Sequence, residues 1–311
     1  MNIIPIVFAF DNNLVFPACV CISSLMMHAK PETFYDIFII HSKSEKLDTS
    51  KLDLIPSYYP NCKIQYRKID NIFNESFQIR GITTPTYYRL LIPDLIPEYD
   101  KIIYADVDII FRMDLSELYS ISLKDKYLAA THEINMNISQ EGRKHISSIP
   151  QLVLGEYIQA GFIVMNSELI RKDNIQKKFL DLAKQKFTFQ DQDILNIACR
   201  GKIYILPWYY NMTTYSYYYL EKKSELLGEY ANSNQELARN YSNIHYNGAK
   251  PWNSYAINFD IWWEHYRKSP YYQSKFYFDF FNSKLTEYDR LSLLKRIKIL
   301  ARYFIHGRIV D

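Results

Sequence analysis

The apolar positions of this chain fall into short unbroken runs separated by stretches of helical periodicity. Ile3 to Ala9 reads as a buried strand, which Asp11-Asn12-Asn13 breaks before a helical stretch from about Val15 to His28. Tyr35 to His41 predicts a second strand, a helix follows around Lys46 to Ser57, and Lys63 to Lys68 predicts a third strand. Strand and helix in alternation predict an α/β fold, a parallel sheet wrapped by helices with ligands at the carboxyl ends of the strands. Pro85 can start a helix through Thr86-Tyr87-Tyr88-Arg89 to Ile92, ended by the breakers Pro93 and Pro97. One strand is then expected over Lys101 to Phe111, a short helix over Met113 to Tyr119 and a strand over Tyr127 to Thr131. His132 to Glu156 carries few periodic signals and is expected to be a long loop, and loops of that length usually bind something. Beyond it the pattern predicts a strand over Tyr157 to Met165 and one helix from Ser167 to Lys186. Asp191 or a neighbour is expected to cap a helix into Ile194 to Ala198, before a strand over Lys202 to Leu206.

One of these runs, Lys101 to Phe111, carries two carboxylates inside apolar sequence. Burying ionised Asp side chains without partners costs several kcal/mol, so Asp106 and Asp108 need a reason. Residues two apart on a strand project to one face, so the pair converges on a point if the strand persists. Oxygen ligands of this kind suit Mg2+ or Mn2+, cations that usually carry phosphates. The competing reading is a strand-end turn in which one Asp caps the next helix. Elsewhere, Gln159-Ala160-Gly161 offers small residues that admit a ligand or another backbone. His245, Gly248 and Lys250 bring an imidazole and an ammonium into one glycine-containing loop. There is no GxGxxG or Walker loop, so those phosphate-binding solutions are excluded.

Composition narrows the picture further. A chain of 311 residues, 48% hydrophobic and 23% charged, can bury a large core as one α/β domain or a domain with an appendage. The net charge of +3 is too mild to indicate nucleic-acid binding. Cys19, Cys21, Cys62 and Cys199 show no CxxC spacing, which argues against a disulfide framework or zinc site and fits a reduced cytoplasm. The apolar N-terminal run lacks a basic flank and makes a poor signal peptide, and nothing approaches about 18 consecutive apolar residues, so no transmembrane helix is expected. Tyr is abundant at 28 residues, and aromatic faces pack against sugar rings as well as one another.

The tail adds a second pattern. Leu291, Leu294, Ile297, Ala301, Phe304 and Ile305 recur at helical spacing, with Arg290, Lys295, Arg296, Lys298, Arg302 and Arg308 supplying basic charge. Such a helix can lie on an anionic membrane surface, or pack on the main domain with a solvated basic face. Residues 1–265 are therefore read as the main domain, and 266–311 as a basic amphipathic helical extension.

Taken together and in order, Phe8-Ala9-x-Asp11-x-Asn13, Thr86-Tyr87-x-Arg89-Leu90, Tyr104-x-Asp106-x-Asp108, Ala160-Gly161, Asp191-Gln192-Asp193 and His245-x-x-Gly248-x-Lys250-Pro251-Trp252 resemble glycosyltransferase family 8. Within it the likeness is to bacterial lipopolysaccharide galactosyl- and glucosyltransferases, over about residues 3 to 265. The resemblance implies a GT-A fold, with a Rossmann-like, mostly parallel twisted sheet, and a retaining enzyme that moves galactose or glucose from a UDP-hexose to a glycan acceptor. It implies that Asp106, Asp108 and His245 hold Mn2+, with Mg2+ the alternative. Ala9, Asp11 and Asn13 would contact uridine, and Val107, Gln159, Ala160 and Gly161 would line the donor site. Arg89 is expected at the donor sugar, Gly248 and Lys250 at the pyrophosphate, Asp191 at the sugar hydroxyls and Gln192 near the anomeric carbon. Two departures from the family pattern stand out: Gln159 where many relatives have Asn, and a His245-to-Lys250 loop one residue shorter than usual. The implied acceptor is lipopolysaccharide or lipooligosaccharide core at the inner face of the cytoplasmic membrane. Capsular or protein-linked glycan, or a non-catalytic sugar-nucleotide-binding role, are the alternatives.

Overall fold

Ile4 to Phe8 are fully enclosed within strand β1 (Asn2–Ala9), as a continuous apolar run demands, in a computed structural model that describes residues 2–70, 73, 84–231 and 235–306. Around it lie β2 (Thr33–Ser42), β3 (Cys62–Ile69), β4 (Lys101–Ala105), β6 (Leu128–His132), β7 (Ile158–Asn166) and β8 (Ile203–Ile205), in the spatial order β3-β2-β1-β4-β7-β6-β8. All pairings are parallel except those of β7, which runs antiparallel to β4 and β6. A second, smaller sheet sits beside the first: β5 (Ile109–Ile110), β10 (Ile244–His245) and β9 (Met212–Thr213), with β10 in the centre.

Apolar layers cover both faces of the large sheet. One face packs against the helix Val15–Met27, which buries Ala18, Cys19, Ile22 and Leu25. The other receives Phe179 of the helix Ile175–Ala183 and Ile194 and Leu195 of the helix Gln190–Ala198. A third cluster is dominated by aromatic rings, where the helix Phe259–Lys268 buries Trp262, Trp263 and Tyr266. The helix Ser274–Asp289 lays Phe276, Phe280 and Phe281 against Trp263, so most of the aromatic excess at this end is ring-on-ring packing.

Several expected elements differ in detail. The expected strand over Lys101 to Phe111 stops at Ala105, turns through Asp106 to Asp108, and resumes in the other sheet as β5. The residues His132 to Glu156 are not a plain loop: they fold into helices Ile134–Ile138 and Gln140–Ser148, too short to register as periodicity. Ser139 caps the second by accepting from Gly142 N at 3.0 Å, and a Cβ on Gly142 would lie 2.4 Å from Met136 Cα. The helix expected over Ser167 to Lys186 is two, Ser167–Lys172 and Ile175–Ala183, parted at Asn174 in the left-handed region at φ 53°. Around Lys46 to Ser57 only the short turns Leu52–Leu54 and Ile55–Tyr58 are helical. Thr84–Leu91 is a 3-10 segment that passes into the helix Ile92–Leu95, with Pro93 tolerated in the first turn because that N–H needs no partner. The boundary at residue 265 falls inside the helix Phe259–Lys268, and the tail forms a helix over Leu293–His306. Arg308 lies outside the described residues.

Candidate active site

β1 and β4 end side by side, and a cleft of about 320 Å³ opens above their carboxyl ends. It is lined by Ala9 and Asp11 from the end of β1, Arg89, Asp106 to Asp108, Gln159 to Gly161 of β7, Asp191 and Gln192, and His245, Lys250 and Trp252. Sequence positions more than 200 residues apart thus meet at one point, the place where an open α/β sheet binds ligands. Asn13 and Gly248 lie outside the cleft lining. Asn13 sits in a 3-10 turn whose backbone N–H is held by the Asp11 carboxylate at 2.9 Å, and Gly248 packs near Thr214.

The break after Ala105 is what aims both carboxylates. Asp106 N donates to Gly161 O at 2.7 Å, holding the turn against β7, and Tyr246 N donates to Asp108 O at 2.9 Å, holding its far end against the second sheet. The antiparallel pairing of β10 with β5 then sets His245 opposite Ile109. One oxygen from each carboxylate and one ring nitrogen of His245 fall within 4.8 Å of one another.

Each carboxylate is divided between two tasks. Asp106 Oδ1 is taken by Arg89 Nη2 at 2.9 Å and by the Tyr104 hydroxyl at 2.6 Å, while Oδ2 faces His245 Nε2 at 3.7 Å. Asp108 Oδ2 is taken by Lys250 Nζ, while Oδ1 stands 3.2 Å from His245 Nε2. That Oδ1 is buried and receives no hydrogen bond. Burial disfavours the charged Asp108, yet the Lys250 ammonium holds its carboxyl below the usual range. A buried, ionised, unbonded oxygen beside a second carboxylate and an imidazole is the donor set of a hard divalent cation. The residues present fit such an ion.

Arg89 is the second organising group. Its buried guanidinium also pairs with Asp191 Oδ2 at 2.9 Å and donates to the carbonyls of Thr86 at 3.0 Å and Ala160 at 2.6 Å. Those partners hold the guanidinium in its charged form against the opposing effect of burial. The side-chain cap expected from Asp191 or a neighbour is not made at the cap position: Phe189 stands there with no side-chain cap bond, and Asp193 accepts from Phe189 N at 3.0 Å. Burial pushes the Asp191 carboxyl up to about 7, against the pull of Arg89 and with repulsion from Asp106. Gln192 presents its side-chain oxygen to Ala160 N at 3.0 Å.

Sequence reasoning missed several groups here. Asn211 hydrogen-bonds the His245 ring at 3.0 Å, and Asp193 accepts from Tyr157 at 2.6 Å with His145 at 2.9 Å. Glu133, on the segment read as a loop, is buried and its carboxyl lifted to about 7 by that burial, with His245 acting the other way. Asp193 could have been found as the third polar residue of Asp191-Gln192-Asp193; Asn211 and Glu133 carry no local signal.

The family model "Glycosyl transferase family 8" matches residues 5–256. Lipopolysaccharide 1,3-galactosyltransferase of Salmonella typhimurium is 26% identical over 259 residues, covering 81% of this chain and 73% of that protein. Lipopolysaccharide 1,2-glucosyltransferase of Escherichia coli is 26% identical over 260 residues, covering 80% and 73%. General stress protein A of Bacillus subtilis is 28% identical over 200 residues, covering 61% and 67%. Among solved structures, an active-site mutant of LgtC superposes with a TM-score of 0.73 at 23% identity, over 88% of this chain and 98% of that one. The WbbM bifunctional glycosyltransferase gives 0.73 at 24% identity, and this chain spans about half of it, 51%. The chain belongs to glycosyl transferase family 8 and has the GT-A fold of its glycosyltransferase neighbours.

Proposed function

We propose that this glycosyltransferase is a retaining, metal-dependent hexosyltransferase that moves galactose or glucose from a UDP-sugar to the glycan of lipopolysaccharide core. The observation that carries the reading is the division of labour at Asp106 and Asp108, each with one oxygen neutralised by a cationic side chain and one turned toward His245. Asp106, Asp108 and His245 would hold Mn2+ or Mg2+, which when bound supplies positive charge for the two phosphates of the donor.

The chain's own groups supply the rest. Lys250, in the cleft lining, gives two N–H groups to Asp108 Oδ2 and the Tyr246 carbonyl and has a third for the leaving phosphate as its charge grows. Arg89 keeps Asp106 and Asp191 fixed, so the carboxylates do not have to reorganise when the donor arrives. Asp191 is the hydrogen-bonding partner for sugar hydroxyls. The oxygen of Gln192 is engaged by Ala160 N and is a neutral amide, which makes it a weak nucleophile. This favours front-face substitution: the acceptor hydroxyl attacks the anomeric carbon on the side UDP leaves, and the departing phosphate takes the hydroxyl proton. A covalent glycosyl adduct on any cleft side chain would overturn that route.

The acceptor assignment follows the lipopolysaccharide transferases the chain is similar to. The tail supports a lipid-anchored acceptor: Leu293, Leu294, Ile297, Leu300 and Phe304 are exposed on the helix Leu293–His306, beside Lys295, Arg296 and Lys298. We place the enzyme as a peripheral protein on the inner face of the cytoplasmic membrane. Among the described residues no helix is long and apolar enough to cross a membrane. The direct test is a panel of UDP-sugars assayed for Mn2+-dependent hydrolysis and transfer to core oligosaccharide. Turnover of one UDP-hexose, lost on chelation, is expected; metal-independent turnover or none across the panel would remove the reading.

A further inference from the structure

An amide chain runs behind His245, and its direction is fixed by its first member. Gly161 N is a backbone donor, and it donates to Gln159 Oε1 at 2.6 Å. The atom of Gln159 it meets is therefore the carbonyl oxygen. That same oxygen lies 2.8 Å from the Asn211 side chain, so Asn211 offers it the NH2 group. The remaining Asn211 atom is its oxygen, 3.0 Å from His245 Nδ1, and an oxygen acceptor requires a proton on Nδ1. In the neutral ring the lone pair is then on Nε2, the atom that faces Asp106 Oδ2 and Asp108 Oδ1. All four residues are buried: Gln159, Asn211 and His245 are 6%, 2% and 1% exposed, and Gly161 is enclosed with them. With bulk water kept from these amides, Gly161 N sets the order of donors, and the acceptors that compete with Asn211 for the ring proton are the Asp108 and Asp106 carboxylates at 3.2 and 3.7 Å from Nε2.

The geometry points to Gln159 and Asn211 as positioning residues that lock His245 in its Nδ1–H tautomer and present its Nε2 lone pair to the cation at Asp106 and Asp108. This rests on the metal reading above, and it gives Gln159 a different task from contact with the donor sugar. The additional methylene that Gln has over Asn is what the arrangement uses: the side chain folds back to its own strand, to the N–H two residues on. Gly161 is part of the device too, since a Cβ there would stand 2.4 Å from His245 Cε1. Partners of this kind behind a metal-binding histidine are worth roughly 10- to 100-fold in metal affinity.

The test uses the full chain and two readouts. Nitrogen-15 NMR of the imidazoles in metal-free protein, recorded over a pH series into the alkaline range, reports the tautomer without any metal. Calorimetric titration with Mn2+ alone reports the affinity. Wild type is expected in the Nδ1–H form; Asn211→Leu and Gln159→Met are expected to shift the ring toward Nε2–H and to weaken Mn2+ roughly 10- to 100-fold. Asn211→Asp, which still accepts from Nδ1–H, should keep the tautomer. If Asn211→Leu does not fold, Gln159→Met decides. An Nε2–H ring in wild type, or unchanged Mn2+ affinity in a folded Asn211→Leu or Gln159→Met protein, overturns the relay. A wild-type Nδ1–H ring with no Mn2+ binding leaves the relay standing and removes the metal reading instead.

Discussion

The Cα of Gly161 and the carboxylate of Asp106 stand so close that a Cβ on Gly161 would lie 2.4 Å from Asp106 Oδ2. Gly161 is thus fixed by the approach of the metal-facing oxygen and not by its own backbone angles. Gly161→Ala is expected to displace Asp106 and His245 together, lowering Mn2+-dependent turnover by roughly 100-fold while far-UV circular dichroism stays that of wild type. Turnover within a factor of a few of wild type would mean that the cluster yields more than the packing allows.

Asp108→Asn removes the charge of an oxygen that no hydrogen bond satisfies. The one oxygen that the amide keeps can still accept from Lys250, so the fold has little reason to change. We expect loss of metal-dependent turnover below detection, with a melting temperature within a few degrees of wild type. Asp106→Asn should abolish turnover as well, and since Arg89 and Tyr104 both hold Asp106 Oδ1, a larger drop in melting temperature should accompany it.

The Arg89 guanidinium is shared between Asp106 and Asp191. Arg89→Met would leave the buried Asp191 and the half-buried Asp106 short of their cation, and breaking a buried pair costs roughly 3–5 kcal/mol. Arg89→Lys keeps the charge without the planar fork, and an ammonium has too few directed donors for two carboxylates and two carbonyls. Urea unfolding should therefore rank wild type above the Lys variant and the Lys variant above Met. Equal midpoints for all three would deny Arg89 its bridging role.

Glu133 provides a pH test. Its carboxyl is raised from 4.5 to about 7 by burial, so the folded state holds the proton more tightly than the unfolded chain. The stability this confers is complete below about pH 4.5 and is lost as pH rises through 7. At about 1.4 kcal/mol per pKa unit, the loss approaches about 3 kcal/mol by pH 8 and above. Glu133→Gln stays neutral, so its stability relative to wild type should grow between pH 5 and pH 8.5 in urea titrations. A difference that does not change with pH would place the ionised carboxylate in water.

Much of this was legible in the chain because apolar runs mark buried strands and a charged pair inside one is conspicuous. β1, β2, β3 and β7 lie where the pattern predicts them, and Asp106, Asp108 and His245 were each visible as chemistry. Two kinds of information were not local. Isoleucines at 109 and 110 read as the continuation of β4, since nothing in an apolar run says which of two sheets it joins. Asn211 sits in a Tyr-rich stretch with no period, and only the parallel pairing of β9 with β10 carries it to the imidazole. Short helices such as Ile134–Ile138 span too few turns for periodicity to accumulate, so Glu133 was hidden in what looked like a loop.

The contact between Lys250 and Asp108 spans 142 residues of chain. During synthesis the strands β1 to β4 leave the ribosome long before β10, so the two aspartates emerge as a like-charged pair with neither their imidazole nor their ammonium. Until the last fifth of the chain has arrived, only two of the three side chains that could hold a cation exist. The proposed cation site is thereby tied to the late-made part of the polypeptide, and a product truncated before β10 carries the aspartates without His245 or Lys250.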